Sequence, residues 1–240
     1  MNDVIIIVPT LNEKKNILIL FNKLNLTNLG FDLLFVDDNS QDGSQEIIKD
    51  LAKKNQNINY IFRPKKMGIG SAHKDGFIWS YKKNYKIVVT MDADGTHDPK
   101  YIKLLIEQLK NFDIIITSRF LKKDLLENWP LPRIFLTKLR HVAISLLLSI
   151  PYDSSGAFRC INRQKVILSD LILAKDDGYS FFWESIFILH KKKYRITEIP
   201  IQMPYRIVGS SKMSIKDIFF AVYYLMIVFL KKILGQYNFK

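Results

Sequence analysis

Cysteine is nearly absent from this 240-residue chain: Cys160 stands alone. An intramolecular disulfide and a thiolate metal cluster are therefore excluded, a reducing compartment is expected, and the lone thiol reads as a small buried hydrophobe. No stretch reaches the ~18 to 20 uninterrupted apolar residues that span a bilayer, so an integral membrane protein is not expected. The opening MNDVIIIVPT has no basic leader, and its apolar run is too short for a signal peptide; it reads as a first strand. No internal repeat, low-complexity tract or glycine-serine linker divides the chain, which suits one substantial core with a helical appendage. Acidic residues are outnumbered, 23 against 36 Lys and Arg, and the net charge of +13 calls for an anionic partner: nucleic acid, anionic lipid or a phosphorylated substrate. Neither an aromatic-glycine RNA motif nor a zinc-finger spacing is found, so nucleic-acid binding is not expected. Lys65-Lys66, Lys82-Lys83 and Lys191 to Lys193 read as solvated faces.

What the chain has is alternation. Short apolar runs, VIIIV (4–8), FDLLFV (31–36), INYIF (58–62), YKIVVTM (85–91) and FDIIIT (112–117), are separated by stretches of helical spacing such as Ile47, Ile48, Leu51 and Ala52. That order predicts βαβ units and a mostly parallel sheet flanked by helices. Asp98 followed by Pro99 marks a helix start, so a helix is expected over 98–110. Each run is followed by a polar cluster: PTLNE, DDNSQDGS, RPKKMGIG, DADGTH and SRF. Ligands of open parallel sheets bind beyond the carboxyl ends of the strands, so five chemically rich loops should converge on one edge.

The second half changes character. Residues 133–150 are amphipathic, with Phe135, Leu139, Val142, Leu146 and Ile150 on one side and Arg133, Arg140 and His141 on the other. Residues 218–230 are apolar all round and flanked by Lys216, Lys231 and Lys232. As a helix the latter would be about 20 Å long, short of the ~30 Å hydrocarbon core. Lying in or on a membrane surface is the expectation for it, with packing on the sheet the bland reading for both.

The chemistry is concentrated in the loops. Asp92 and Asp94 have the i, i+2 spacing that points two side chains to one side of an extended backbone. Two close carboxylates repel unless a cation sits between them, and hard oxygen ligands suit Mg²⁺ or Mn²⁺ shared with a substrate diphosphate. His97 beside this pair reads as structural. Thr10 and Glu13 match a capping box, and Asp37 and Asp38 close the second strand, where an acid commonly meets ribose or base in nucleotide sites. KKMGIGSA allows close approach to phosphate without the full GxGxxG spacing, which disfavours a dehydrogenase. Arg119, Arg206 and Lys212 offer cations from separated loops; if they meet near Asp94, they could hold a second phosphate.

With these motifs in order, the sequence resembles the polyprenyl-phosphate (dolichol-phosphate) mannosyltransferases of the GT-A, family 2 glycosyltransferases. VPTLNE, VDDNSQDGS, MGIGSAHKDG, MDADGTHDP and TSRF carry the N-terminal part of the resemblance. DSSGAFR (153–159), the stretch 178–184 and EIPIQMPYRIVGSSKMS (198–214) carry the more selective C-terminal part. The resemblance implies a GT-A catalytic domain over 1–213, with 133–150 a candidate interfacial helix, and a membrane-associating helix over 214–240. It implies inverting transfer of a hexose, most often mannose from GDP-mannose, to polyprenyl phosphate. Pro9, Leu11 and Glu13 would lie by the base, where relatives commonly carry tyrosine in place of Leu11. Asp37, Asp38, Gly68, Gly70 and Asp92 would serve the donor, and Asp92, Asp94 and Thr96 would hold the metal. Arg119, Arg133, Arg206 and Lys212 would hold the acceptor phosphate and the leaving diphosphate. Asp94, Arg119, Arg206 and Lys212 would then carry catalysis. The lipid acceptor places the enzyme on the cytoplasmic face of a membrane with anionic lipid, peripheral or reliant on a membrane-anchoring partner. The alternatives are a UDP-glucose or other donor, a saccharide hydroxyl acceptor, and a non-enzymatic membrane-binding subunit with a degenerate nucleotide site.

Overall fold

Valine, isoleucine, leucine and phenylalanine fill the apolar runs, and in the computed structural model, which describes residues 2–206 and 212–237, all five become strands. They are β1 (Val4–Thr10), β2 (Asp32–Asp37), β3 (Ile58–Phe62), β4 (Ile87–Thr90) and β5 (Ile114–Ser118). Every residue of β2 and β5 is buried, as expected of strands covered on both faces. Residues 207–211 of the expected C-terminal motif and 238–240 of the expected terminal helix lie outside the described residues.

The main sheet has the order β3-β2-β1-β4-β7-β5-β8, where β7 is Arg159–Asn162 and β8 is Ile196–Pro200. All pairings are parallel except those of β7, which runs antiparallel to both β4 and β5. The strand order reverses between β1 and β4, which makes a crevice at their carboxyl ends the natural ligand position. Because β7 runs backwards, its beginning lies beside the ends of its neighbours: Arg159 is in register with Thr90 and with Ile116. The segment before it, 153–158, is thereby delivered to the same edge as Asp92 and Arg119. A second, two-stranded sheet joins β6 (Leu126–Glu127) to β9 (Met203–Pro204).

Alternate residues of each strand face opposite sides and seed two cores. Ile6, Val8, Leu33 and Phe35 pack with α1 (Lys14–Asn25), α2 (Ser44–Lys54) and α4 (Ile102–Gln108) through Ile17, Leu20, Ile48 and Leu105. Ile5, Ile7, Leu34 and Val36 face α3 (Ile69–Lys82), α5 (Leu131–Leu148), α6 (Leu168–Leu171), α7 (Phe181–Lys191) and α8 (Ile215–Ile233). The helix expected over 98–110 begins as a 3₁₀ turn, Pro99–Tyr101, capped by Asp98, whose carboxylate accepts from the Lys100 amide at 3.0 Å.

The expected capping box of α1 does not form. Thr10 closes β1, and its hydroxyl lies 3.3 Å from Asp37 Oδ2, while Glu13 makes no side-chain cap. The box appears instead at α8, where the Ser214 hydroxyl accepts from the Asp217 amide and the Asp217 carboxylate accepts from the Ser214 amide. The apolar side expected for 133–150 points outward: Phe135 is 66% exposed and Leu146 is 74% exposed. Ile150 is the exception, fully buried beyond the end of α5. On α8 only Leu225 and Val228 are buried, and Phe219 is 72% exposed. Among the described residues, no helix is long and apolar enough to cross a membrane.

Candidate active site

A cavity of about 620 Å³ opens at the carboxyl edge of the sheet, lined by loops after β1, β4 and β5, by the segments around 155 and 178, and by α5 and the start of α8. Acidic and basic side chains line it together, as two walls that Arg206 joins.

The acidic wall follows β4. The Asp92 amide donates to His97 Nδ1 at 2.9 Å, and the buried His97 ring rests against Phe158. Burial pushes the His97 pKa down to about 4, so the ring is a neutral acceptor that fixes the turn. Gly95, at φ +81°, supplies the left-handed residue of this turn. The Thr96 amide and hydroxyl donate to Asp94 Oδ1 at 3.0 and 2.6 Å. Burial and then the charge of Asp94 push the Asp92 carboxyl up to about 8. Against its own burial, the neighbouring His97, then the Thr96 hydrogen bonds and the Arg206 guanidinium, bring Asp94 below the usual range.

Two oxygen-only carboxylates, one destabilised by the other, are a donor set suited to a hard divalent cation. Among the described residues, no group of three or more carboxylate, histidine or cysteine ligands could hold a metal alone. An ion here would therefore complete its shell with substrate oxygens and water, the usual arrangement for Mg²⁺ at phosphate-transfer sites.

The basic wall comes from later in the chain. Arg206 bridges to the acidic wall, with Nε 3.0 Å from Asp94 Oδ2 and Nη2 2.7 Å from Glu13 Oε1. This contact spans 193 positions of sequence, and the start of α1 is capped from the neighbouring loop instead, Ser44 Oγ and Asp42 Oδ2 accepting from the Glu13 and Lys14 amides at 3.0 Å. Glu13 Oε2 accepts from Asn16 Nδ2 at 2.6 Å. Lys212 donates to the Asn12 carbonyl at 3.3 Å. Arg133 lies between the rings of Trp129 and Tyr205, at 4.7 and 5.0 Å from their centroids. Arg119 is held in a fork by Asp153, Nε to Oδ2 at 2.9 Å and Nη2 to Oδ1 at 2.8 Å, and also reaches the Ser155 hydroxyl at 2.6 Å. Burial alone would raise the Asp153 pKa, but Arg119 overrides it and holds the carboxyl at about 2. Arg159 fastens the loop from behind, donating to the carbonyls of Ser154, Gly156 and Phe182.

Of the residues expected from sequence, Pro9, Leu11, Glu13, Asp38, Gly68, Asp92, Asp94, Thr96, Arg119, Arg133, Arg206 and Lys212 all line this one cavity. Two lie elsewhere. Asp37 is fully buried beside the turn into α2, accepting from the Ser40 amide and hydroxyl and from Gln45 Nε2. Gly70 packs against Phe181, where a Cβ would overlap the ring-bearing side chain. Asp38 lines the cavity but is engaged by Arg63 and by the amides of Met67 and Gly68, so those amides hold a carboxylate rather than a phosphate. Gly68 is needed for its φ of +102° and its approach to the Asp177 carbonyl.

Sequence reasoning misses Lys66, Trp129, Arg140, Ser155, Tyr179 and Tyr205, all of which line the cavity. The spacing Arg133, Thr137, Arg140 is the available signal for one of them, since it puts three polar residues on one helical stripe. Lys66 is exposed, as expected of a solvated face, and it also lines the cavity.

Known proteins resemble this chain in sequence and in fold. Glycosyl transferase family 2 matches residues 5–169. The chain is 30% identical over 212 residues to an undecaprenyl-phosphate mannosyltransferase of Micrococcus luteus, covering 88% of this chain and 87% of that protein. It is 29% identical over 213 residues to a polyprenol monophosphomannose synthase of Mycolicibacterium smegmatis, covering 88% and 80%. A dolichol-phosphate mannosyltransferase of Pyrococcus furiosus is 34% identical over 222 residues, covering 89% of this chain and 60% of the relative. Among solved structures, glucosyl-3-phosphoglycerate synthase of Mycobacterium tuberculosis, in complex with Mn²⁺, UDP and glucosyl-3-phosphoglycerate, superposes with a TM-score of 0.65 at 14% identity, covering 98% of this chain and 81% of that one. A mannosyltransferase of Pyrobaculum calidifontis in complex with GDP-Man and Mn²⁺ gives 0.62 at 15% identity, covering 98% and 65%. These structures share its mostly parallel, helix-flanked GT-A architecture. The chain belongs to glycosyl transferase family 2 and is a glycosyltransferase.

Proposed function

We propose that this enzyme transfers mannose from GDP-mannose to the phosphate of a polyprenyl phosphate, with inversion at the anomeric carbon. The observation that carries the reading is that Arg119, Arg133, Arg206 and Lys212 line one cavity together with the Asp92–Asp94 pair. The names of the three sequence relatives support both the sugar and the class of acceptor.

The acceptor's chemistry explains what the cavity contains. A sugar hydroxyl needs a positioned base to remove its proton. Every carboxylate lining the cavity, among the described residues, is engaged elsewhere: Glu13 pairs with Arg206, Asp38 with Arg63, Asp217 caps α8, and Asp92 and Asp94 form the metal pair. A phosphate monoester, with a second pKa near ~6, is already ionised at neutral pH and needs no base. Its oxygen attacks the anomeric carbon as the bond from that carbon to the diphosphate breaks, releasing GDP. The arginines and Lys212 hold two mutually repelling anions at attack distance, so positioning and electrostatics dominate. Asp92 and Asp94, with Thr96 steadying Asp94, would hold Mg²⁺ or Mn²⁺, which neutralises charge on the leaving diphosphate. Pro9, Leu11 and Glu13 would border the nucleoside.

The exposed apolar faces of α5 and α8 would lie on the bilayer that holds the acceptor's tail, on its cytoplasmic face. Phe135, Leu139, Val142 and Leu146 on α5, with Phe219 and Tyr223 on α8, would form that surface, and Lys231 would offer a cation to anionic headgroups. Residues 214–240 would then be a membrane-associating appendage to a catalytic domain over 1–213.

Incubation with labelled GDP-mannose, Mn²⁺ or Mg²⁺ and a short polyprenyl phosphate should give chloroform-extractable sugar. Transfer to a saccharide hydroxyl without any lipid phosphate would reject the reading.

A further inference from the structure

Arg140 is partly buried, and among the described residues no carboxylate forms an ion pair with its guanidinium. Its Nη2 reaches the Ser155 hydroxyl at 3.1 Å, a neutral partner shared with Arg119, and its Nε is buried with no hydrogen-bond partner among the described residues. A buried guanidinium is costly unless it is paired and hydrogen-bonded. The carboxylate attracting it is Asp153, but both Asp153 oxygens are taken by the Arg119 fork. Burial, and then the like charge of Arg119, push its pKa down to about 10, so the site strains against its charge yet keeps it at neutral pH.

Its position says where the missing anion belongs. Arg133 and Arg140 are seven residues apart on α5, two helical turns, and project from one face into the cavity. The opposite face of the same helix carries the exposed Phe135, Leu139, Val142 and Leu146. An amphiphile with an anionic head and a hydrocarbon tail matches both faces, whereas a fully water-soluble donor nucleotide matches one.

We propose that Arg140 is a further ligand of the acceptor's phosphate, completing a cradle of three guanidinium groups with Arg119 and Arg133. This rests on the lipid-phosphate reading above. The excess positive charge of the cradle, three arginines against Asp153, suits a dianionic monoester.

The test compares the full-length enzyme with Arg140→Gln and Arg140→Lys. The Michaelis constant for a short-chain isoprenyl phosphate should rise by about 10- to 100-fold in the glutamine variant and by less in the lysine variant, the range expected for a charged hydrogen bond. The constant for GDP-mannose should stay within about twofold, since Asp92, Asp94 and Glu13 are untouched. Equal rises for both substrates, or an unchanged acceptor constant, would overturn the assignment; if the glutamine variant does not fold, the lysine variant gives the same reading. Fluorescence of Trp129 and Trp183, both on the cavity wall, reports isoprenyl phosphate binding without turnover. If the wild type makes no lipid-linked sugar, the parent reading fails, while weaker isoprenyl phosphate binding by Arg140→Gln still upholds the anion site. Equal binding by wild type and variant overturns it, and inorganic phosphate binding as tightly as the isoprenyl ester would show a free-phosphate site instead.

Discussion

The two walls of the cavity are built in different ways. The acidic wall is a tight turn after one strand: Asp92, Asp94, Thr96 and His97 span six residues and hold each other through local hydrogen bonds. The basic wall is assembled from distant segments, with Arg119 after β5, Arg133 and Arg140 on α5, and Arg206 and Lys212 after β9. A local turn depends little on the rest of the fold, and its carboxylates repel. A long-range wall depends on the fold and, through the Arg119–Asp153 pair, contributes to it. The acidic wall should therefore matter for chemistry and the basic wall for both chemistry and stability.

The largest expected effect tests the first half of that contrast. Asp94→Ala should lower kcat by on the order of 10³-fold, comparable to removing a principal electrostatic contact of a transition state. Its melting temperature should stay within about 3 °C of wild type, because the change also relieves repulsion on Asp92. Full activity in this variant would remove the metal pair from the mechanism, and a large thermal loss would erase the distinction between the walls.

Asp153→Asn tests the other half by unfolding in denaturant. Asp153 is buried and its carboxyl is held at about 2, below the ~3.9 of an unfolded chain. A depressed folded pKa gives stability that is complete above the unfolded value and is lost as pH falls from about 4 through about 2. Breaking the pair should cost about 3 kcal/mol at neutral pH, because it leaves Arg119 buried and uncompensated. The cost should shrink towards pH 2, where the wild-type carboxyl also protonates. A penalty independent of pH would assign the loss to packing.

The same contrast explains what the sequence disclosed. Strands announce themselves through β-branched runs, so β1 to β5 and the Asp-x-Asp turn at the edge of β4 could be read directly. β7 could not: its four residues, RCIN, include an arginine and a polar end, and its antiparallel direction is set by neighbours rather than by its own pattern. Arg119, Arg206 and Lys212 were legible as cations in polar loops, but their convergence was visible only as a condition. Arg140 was legible as the polar side of a helix, and its lack of an anion was not, since that depends on Asp153 being claimed by Arg119. Asp37 misled because a strand-end acid can serve the adjacent helix turn as well as a nucleotide.

A third prediction carries the comparison to the outside of the basic wall. Leu146→Glu and Phe219→Glu place charge on exposed apolar faces of α5 and α8. Sedimentation with anionic liposomes should weaken by about tenfold for the pair, given the cost of moving apolar area back into water and charge towards lipid. Turnover of a soluble short-chain acceptor should hold, because neither side chain lines the cavity. Undiminished sedimentation would remove the docking surface.

The smallest effect separates attachment of α8 from its exposed face. α7 and α8 are both strongly apolar, yet Phe181 to Leu189 are all buried while α8 buries only Leu225 and Val228. Beside the core contacts of Leu225 and Val228, polar bonds tie α8 down: the Tyr224 hydroxyl donates to Glu184 Oε1 at 2.9 Å, Tyr237 donates to the same oxygen, and Glu184 Oε2 accepts from the amides of Lys175 and Asp176. Tyr224→Phe removes one of these bonds and keeps the ring against Trp183 and Phe220. It should cost about 1 kcal/mol, because Glu184 retains Tyr237 and two amides. Liposome binding should be unchanged, since the outward face of α8 is untouched. If Tyr224→Phe instead reduced liposome binding as strongly as the glutamate substitutions, then the seating of α8 on α7, rather than its exposed apolar face, would control how the enzyme meets a bilayer.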